Sequence, residues 1–273
     1  MFGILLPGLF AALVAVAVTV AIERLGGRAG GLLGTLPTTI VPASLGFAAE
    51  TSPEGLAAAM YAVPPGMLLN ALFLWLWRAV PPRLPAMPLH PRLAVMTAAS
   101  LGAWFVGALA LVRALDAAEG SLTTLRAVGV GATLAIVVIG VLACLRGVPA
   151  PKGKRPVGPL TLVLRGVLAG LAIGTSVWIA RTGGPLAAGV ASVFPAIFVT
   201  TMVSLWLSQG EAVPAGAVGP MMLGSAAVAS YAVLAAVALP ALGVWLGPAA
   251  AWIGAVLTTT VPAWWWLGRR AGS

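Results

Sequence analysis

Histidine and cysteine are almost missing from this chain of 273 residues, which has one of each, His90 and Cys144. A disulfide within the chain needs two cysteines, and a zinc centre needs several imidazoles or thiolates, so both are excluded. Charge is scarce as well. Only 8% of the residues are Asp, Glu, Lys or Arg, whereas a soluble surface carries roughly 25–35%. One or two soluble domains are therefore excluded. No HExxH, GxSxG, Walker or dinucleotide pattern occurs, and the six acids, Glu23, Glu50, Glu54, Asp116, Glu119 and Glu211, are spread over loops and the ends of apolar runs. Catalysis needs acid, base or nucleophile gathered at one depth, so no enzyme activity, metal or cofactor is expected.

What the chain has instead is apolar length. It is 60% hydrophobic with a mean hydropathy of +1.06, more than one aqueous core could bury. The fold class expected is an all-α integral membrane protein whose principal partner is the lipid bilayer. A bilayer core of roughly 30 Å takes about 20 residues of helix, and nine stretches qualify: 3–22, 30–49, 55–77, 93–112, 127–145, 159–180, 186–207, 214–236 and 250–267. The link from Ala238 to Gly247 either extends the eighth span or lies along the interface near Pro240.

The net charge of +9 comes from short basic clusters between apolar runs, as in cytoplasmic loops, and no nucleic-acid partner is expected. With the N-terminus outside, the inner segments hold Arg24, Arg28, Arg78, Arg83, Arg92, Arg146, Lys152, Lys154, Arg155, Arg269 and Arg270, against Arg113, Arg126 and Arg181 outside. The positive-inside rule thus gives N-out, C-in, in a bacterial-type plasma membrane. Residues 1–22 lack the basic start of a cleaved signal peptide. Trp75 and Trp77 before Arg78, and Trp264 to Trp266 before Arg269, are expected to be anchors at the inner interface.

The chain also repeats. A shift of 157 residues superposes Ile22, Arg24, Gly26 and Gly27 on Ile179, Arg181, Gly183 and Gly184, and Glu54 on Glu211. This divides the chain into a four-span arm at 1–116, a linker span with a basic loop at 117–157, and a second four-span arm at 158–273. A single span between the arms inverts the second, the arrangement of many secondary transporters.

Helix breakers fall in the second span of each arm. One reads GGRAGGLLGTLPTTIVPAS, with Pro37 and Pro42 flanking Thr38 and Thr39; the other reads GGPLAAGVASVFPAIFVTT, with Pro195 ahead of Thr200 and Thr201. Interrupted spans at matching positions are the best pointer to a transport site, although proline kinks are also ordinary in membrane helices. Small residues at four-residue spacing (Gly26, Gly30 and Gly34; Gly184, Ala188 and Ser192; Gly166, Gly170 and Gly174) suit close helix packing. In this four-span pattern, with Arg24, Gly26, Gly27, Leu36 and Pro37 in one arm and Arg181, Gly183, Gly184, Phe194 and Pro195 in the other, each arm resembles the GlpM-like bacterial inner-membrane proteins. The resemblance implies a fused, doubled relative of a small membrane protein, and no chemistry.

Glu54 follows Ser52 and Pro53 as a helix start, and Glu211 precedes a span in the same way; both suit capping or gating. Arg24 and Arg181 suit either a helix C-terminus or an entrance charge. Arg165 lies within the sixth span, close enough to its end to snorkel. Asn70, Ser100, Ser225 and Tyr231 suit hydrogen bonds between helices. The function expected is a secondary transporter or permease for a small solute or ion, working by alternating access around spans two and seven. A passive channel and a non-transporting scaffold are the alternatives, and a second copy of the chain is an open partner.

Overall fold

The computed structural model describes residues 2–25, 36–117, 121–146, 158–182 and 184–270. Ten helices, labelled here α1 to α10, occupy them: α1 Phe2–Leu25, α2 Val41–Glu50, α3 Pro53–Ala79, α4 Leu89–Ala117, α5 Leu122–Leu145, α6 Pro159–Arg181, α7 Pro185–Ser192, α8 Ala196–Gln209, α9 Ala212–Ala255 and α10 Val261–Arg270. A 3-10 turn, Pro81–Arg83, joins α3 to α4, and a π-helical stretch, Val256–Thr260, joins α9 to α10.

Among the described residues, six stretches are long and apolar enough to cross a membrane: α3, α4, α5, α6, the α7–α8 unit and the run Ala212–Arg269. Their surfaces suit a lipid solvent. The most apolar part of α5 has a mean hydropathy of 2.6 yet is only 22% buried, and Leu109 on α4, Leu134 on α5 and Leu171 on α6 face outward. An aqueous protein would not expose so much, so the chain is membrane-embedded. α3 is the central helix, 78% buried over its most apolar part, and packs against α4, α5, α7 and α9.

Close approaches of glycine give the helix directions. Gly8 meets Gly170 and Gly174, and Gly166 meets Ala12 and Val16, so α1 and α6 run antiparallel. Gly129 meets Tyr61 while Arg78 reaches Ala143, so α3 and α5 run parallel. Gly140 meets Leu223 and Gly219 meets Ala143, so α5 and α9 are antiparallel, as are α3 and the first part of α9. Gly189 meets Ala59 and Gly66 meets Val190 and Val193, making α7 parallel to α3. Val177 beside Gly46 and Arg181 beside Glu50 make α2 parallel to α6.

The run Ala212–Arg269 folds back on itself. At Gly243 the backbone turns to φ 76°, ψ 176°, a left-handed conformation that only glycine adopts without strain. Beyond it Gly247 lies against Ala238 and Leu239, and Gly254 against Leu234. The link Ala238–Gly247 is thus helix on either side of one turning residue, which corrects the interfacial alternative: Pro240 lies within the helix before the turn.

Two further expectations change. Trp77 is fully buried against Trp206, their ring centres 5.6 Å apart, and is no interfacial anchor; Trp75 is half exposed. Ser100 and Ser225 bond to carbonyls of their own helices, Ser100 to Met96 at 2.9 Å and Ser225 to Met222 at 2.6 Å, so neither joins two helices.

Candidate functional site: the broken seventh span

Apolar sequence runs from Pro185 through Leu207, yet the helix does not. α7 stops at Ser192, and α8 starts at Ala196 with Pro195 as its N-cap residue at φ −74°, ψ 41°. Proline has no N–H to continue the ladder and disfavours helical geometry in the residue before it. The chain answers with a three-residue turn in which the Ala196 N–H donates to the Phe194 carbonyl at 2.7 Å. The Thr38 N–H donates to the Leu36 carbonyl at 2.9 Å in the same way, around Pro37. Pro42 belongs to the first turn of α2, where a missing N–H costs nothing, and is no kink.

Side chains close around the break from α3 and α4. The Asn70 amide donates to the Val193 carbonyl at 2.8 Å, supplying the partner that the interrupted ladder lost. Phe194 packs on Trp104 and Phe105 of α4, with ring centres 5.4 and 5.8 Å away. Asn70 is 2% exposed, and its carboxamide oxygen has no hydrogen-bond partner among the described residues. Asn70 bonds between helices as expected of it, and an asparagine in a largely apolar helix is the signal for that; nothing in the sequence distinguishes Trp104.

Arg165 does not snorkel. It is 7% exposed and donates from Nε to Thr200 Oγ1 at 3.3 Å and from Nη2 to Thr201 Oγ1 at 2.8 Å. The Thr200 hydroxyl donates in turn to the Ala196 carbonyl at 2.8 Å. Three sequence-selected residues, Arg165, Thr200 and Thr201, thus join α6 to α8 just beyond Pro195. Thr38 and Thr39 stand apart from this cluster, half-buried in the turn before α2.

Among the described residues, an ion pair joins the 1–116 and 158–273 segments at each end of the bundle. At one end Arg92 of α4 holds Glu211 at 2.8 Å. At the other Arg181 of α6 stands 3.6 Å from Glu50 of α2. Glu211 therefore spends its carboxylate on Arg92 and makes no side-chain cap, a correction to the capping expectation. Glu54 keeps its place in a first turn capped by Ser52, whose Oγ accepts the Gly55 N–H at 3.1 Å. Arg24 lies in α1 with its side chain outside the described residues, as do Gly26, Gly27, Gly30 and Gly34.

Chemically, the break offers a buried carboxamide oxygen and an aromatic wall at the meeting of α3, α4 and α7–α8. A buried guanidinium with two hydroxyls lies next to it. Among the described residues no three metal-ligating side chains come together. Compared with known proteins, the chain matches no family, no curated protein and no solved structure.

Proposed function

We propose that the chain is a secondary transporter or permease for a small solute in a bacterial plasma membrane. It has nine spans, the seventh being the α7–α8 unit and the last two the limbs of the hairpin turned at Gly243, with the N-terminus outside. In this reading residues 1–116 and 158–273 are inverted arms. The helices that a 157-residue shift equates, α1 with α6 and α3 with the first limb of α9, pack in antiparallel pairs, as an axis in the membrane plane requires. Each arm resembles the GlpM-like proteins under the same proposal.

The observation that carries the proposal is the repeated proline turn, at Pro37 and at Pro195, in the second span of each arm. A membrane helix gives up backbone hydrogen bonds only where protein, water or a ligand replaces them, and discontinuous helices at the repeat interface are where transporters hold their solutes. Asn70, Phe194, Trp104, Arg165, Thr200 and Thr201 form the solute site. The pairs Arg92–Glu211 and Glu50–Arg181, one at each end and each joining the two arms, act as latches that part in turn as the arms rock.

Flux into proteoliposomes of the purified chain tests this. Saturable uptake of some member of a panel of small anions, cations and neutral solutes, lost in Pro195→Leu at equal incorporation, is the expected result. Uptake far above carrier rates without exchange would identify a channel. No uptake of any member, with Pro195→Leu and Pro37→Leu tolerated, would identify a scaffold.

A further inference from the structure

Six buried side-chain atoms lack a hydrogen-bond partner among the described residues: Asn70 Oδ1, Trp77 Nε1, Arg78 Nη2, Trp104 Nε1, Trp206 Nε1 and Thr260 Oγ1. Four of these can only donate. Buried indole N–H groups ordinarily find an acceptor, and each one left over calls for an explanation.

Three of the four donors belong to one cluster, and the fourth follows one of them in the chain. Trp77, Trp104 and Trp206 belong to a single apolar cluster between α3, α4, α8 and α9, and none is more than 3% exposed. Trp77 and Trp206 meet edge to face. Arg78, next to Trp77 in the chain, commits Nε to the Ala215 carbonyl at 3.1 Å and Nη1 to the Ala143 carbonyl at 3.0 Å, which leaves Nη2 as its spare donor. Trp104 lies deeper, against Phe194 at the break. The donors therefore lead from the end of the bundle where Arg92 meets Glu211 toward the broken span, along the seam between the 1–116 and 158–273 segments.

A partner for such a set accepts hydrogen bonds and donates none, and the guanidinium favours negative charge. The rest of the cluster is apolar, Met96, Met202 and Met222 among aliphatic side chains such as Leu74, Leu93 and Val218, which replace little of an ion's hydration, so a strongly hydrated or doubly charged anion would lose too much on entering. We propose that this cluster is a binding site for a small, weakly hydrated, singly charged anion of the nitrate or thiocyanate kind. The inference names the solute class of the transport reading and rests on that reading for the ion's route, though not for its binding.

Indole N–H resonances of the full chain in micelles, labelled with 15N-tryptophan, give the test, with sodium nitrate as the probe and sodium gluconate at equal ionic strength as the control. Of the ten tryptophans, two or three are expected to shift saturably downfield with nitrate alone, and Trp77→Phe and Trp206→Phe to delete those resonances and weaken the titration at least tenfold. The wild-type pattern needs no variant to fold. No saturable shift, or an equal drift of all ten, overturns the proposal. A selective shift without flux of any solute would leave the site standing and remove the transport reading; flux of a neutral solute without the shift would do the reverse.

Discussion

Prolines in α3 and in the seventh span have opposite effects. Pro64 and Pro65 sit side by side in the middle of α3, both buried, and the helix runs unbroken from Pro53 to Ala79. Pro195 stands in an equally apolar run and ends one helix before another begins. The difference lies in the neighbours. Pro65 frees the carbonyl of Tyr61, and Gly129 of α5 packs directly on it, a Cβ there falling 3.0 Å from the oxygen. Two residues earlier, Gly189 of α7 packs on the Ala59 carbonyl so tightly that a Cβ would overlap it. α3 is thus braced by glycine-bearing helices that leave it no room to open. At Pro195 the freed backbone is met by two side chains, Asn70 on the Val193 carbonyl and Ser192 on that of Gly189, and by aromatic rings that pack on Phe194. A proline in a membrane helix is a packing element where neighbours hold it and a break where they do not.

The comparison can be broken most severely at Gly189. Gly189→Val drives a branched side chain into backbone and is expected to cost about 3 kcal/mol or more, seen as loss of the folded peak in fluorescence-detected size-exclusion chromatography. Next, Pro195→Leu is expected to mend the span and lower flux at least tenfold, roughly 1.4 kcal/mol in barrier terms, with thermal stability unchanged or raised. Pro64→Leu, in the braced helix, should leave flux within about twofold, since the break at Pro195 is not altered. Asn70→Leu removes the bond that spans the break and should lower stability by about 1 kcal/mol, measured by thermal unfolding in detergent. The smallest effect belongs to Arg92→Gln. Its pair with Glu211 is partly exposed and worth at most about 1 kcal/mol, so stability should barely move while thiol labelling at Ala212→Cys rises.

Much of this contrast was legible in the residues. The six long apolar stretches, the turn at Pro37, the break at Pro195 and the helix start at Ser52 follow from hydropathy, missing N–H groups and side-chain oxygens placed at a cap. Facing was not legible. Lipid and protein interior are equally apolar, so nothing in the run PPGMLLNALFLWLWRA says that Trp77 turns inward while Trp75 turns out. For the same reason Arg165 read as a snorkelling cation; its partners Thr200 and Thr201 lie on another helix, and their pairing is tertiary. Gly243 was one glycine among 34, and its role as the turning point depends on Gly247 and Gly254 packing back on Leu239 and Leu234.

The inverted arms are the centre of the account, and sidedness in whole cells tests them most directly. Single cysteines would replace Ser52, Thr182, Ala86 and Ala212, all exposed, in a Cys144→Ala background, and each would be challenged with a membrane-impermeant thiol reagent. Labelling of positions 52 and 182 but not 86 or 212 is the result expected for arms of opposite hand. Labelling of 212 together with 52, which a 157-residue shift makes near-equivalent, would show parallel arms and contradict it.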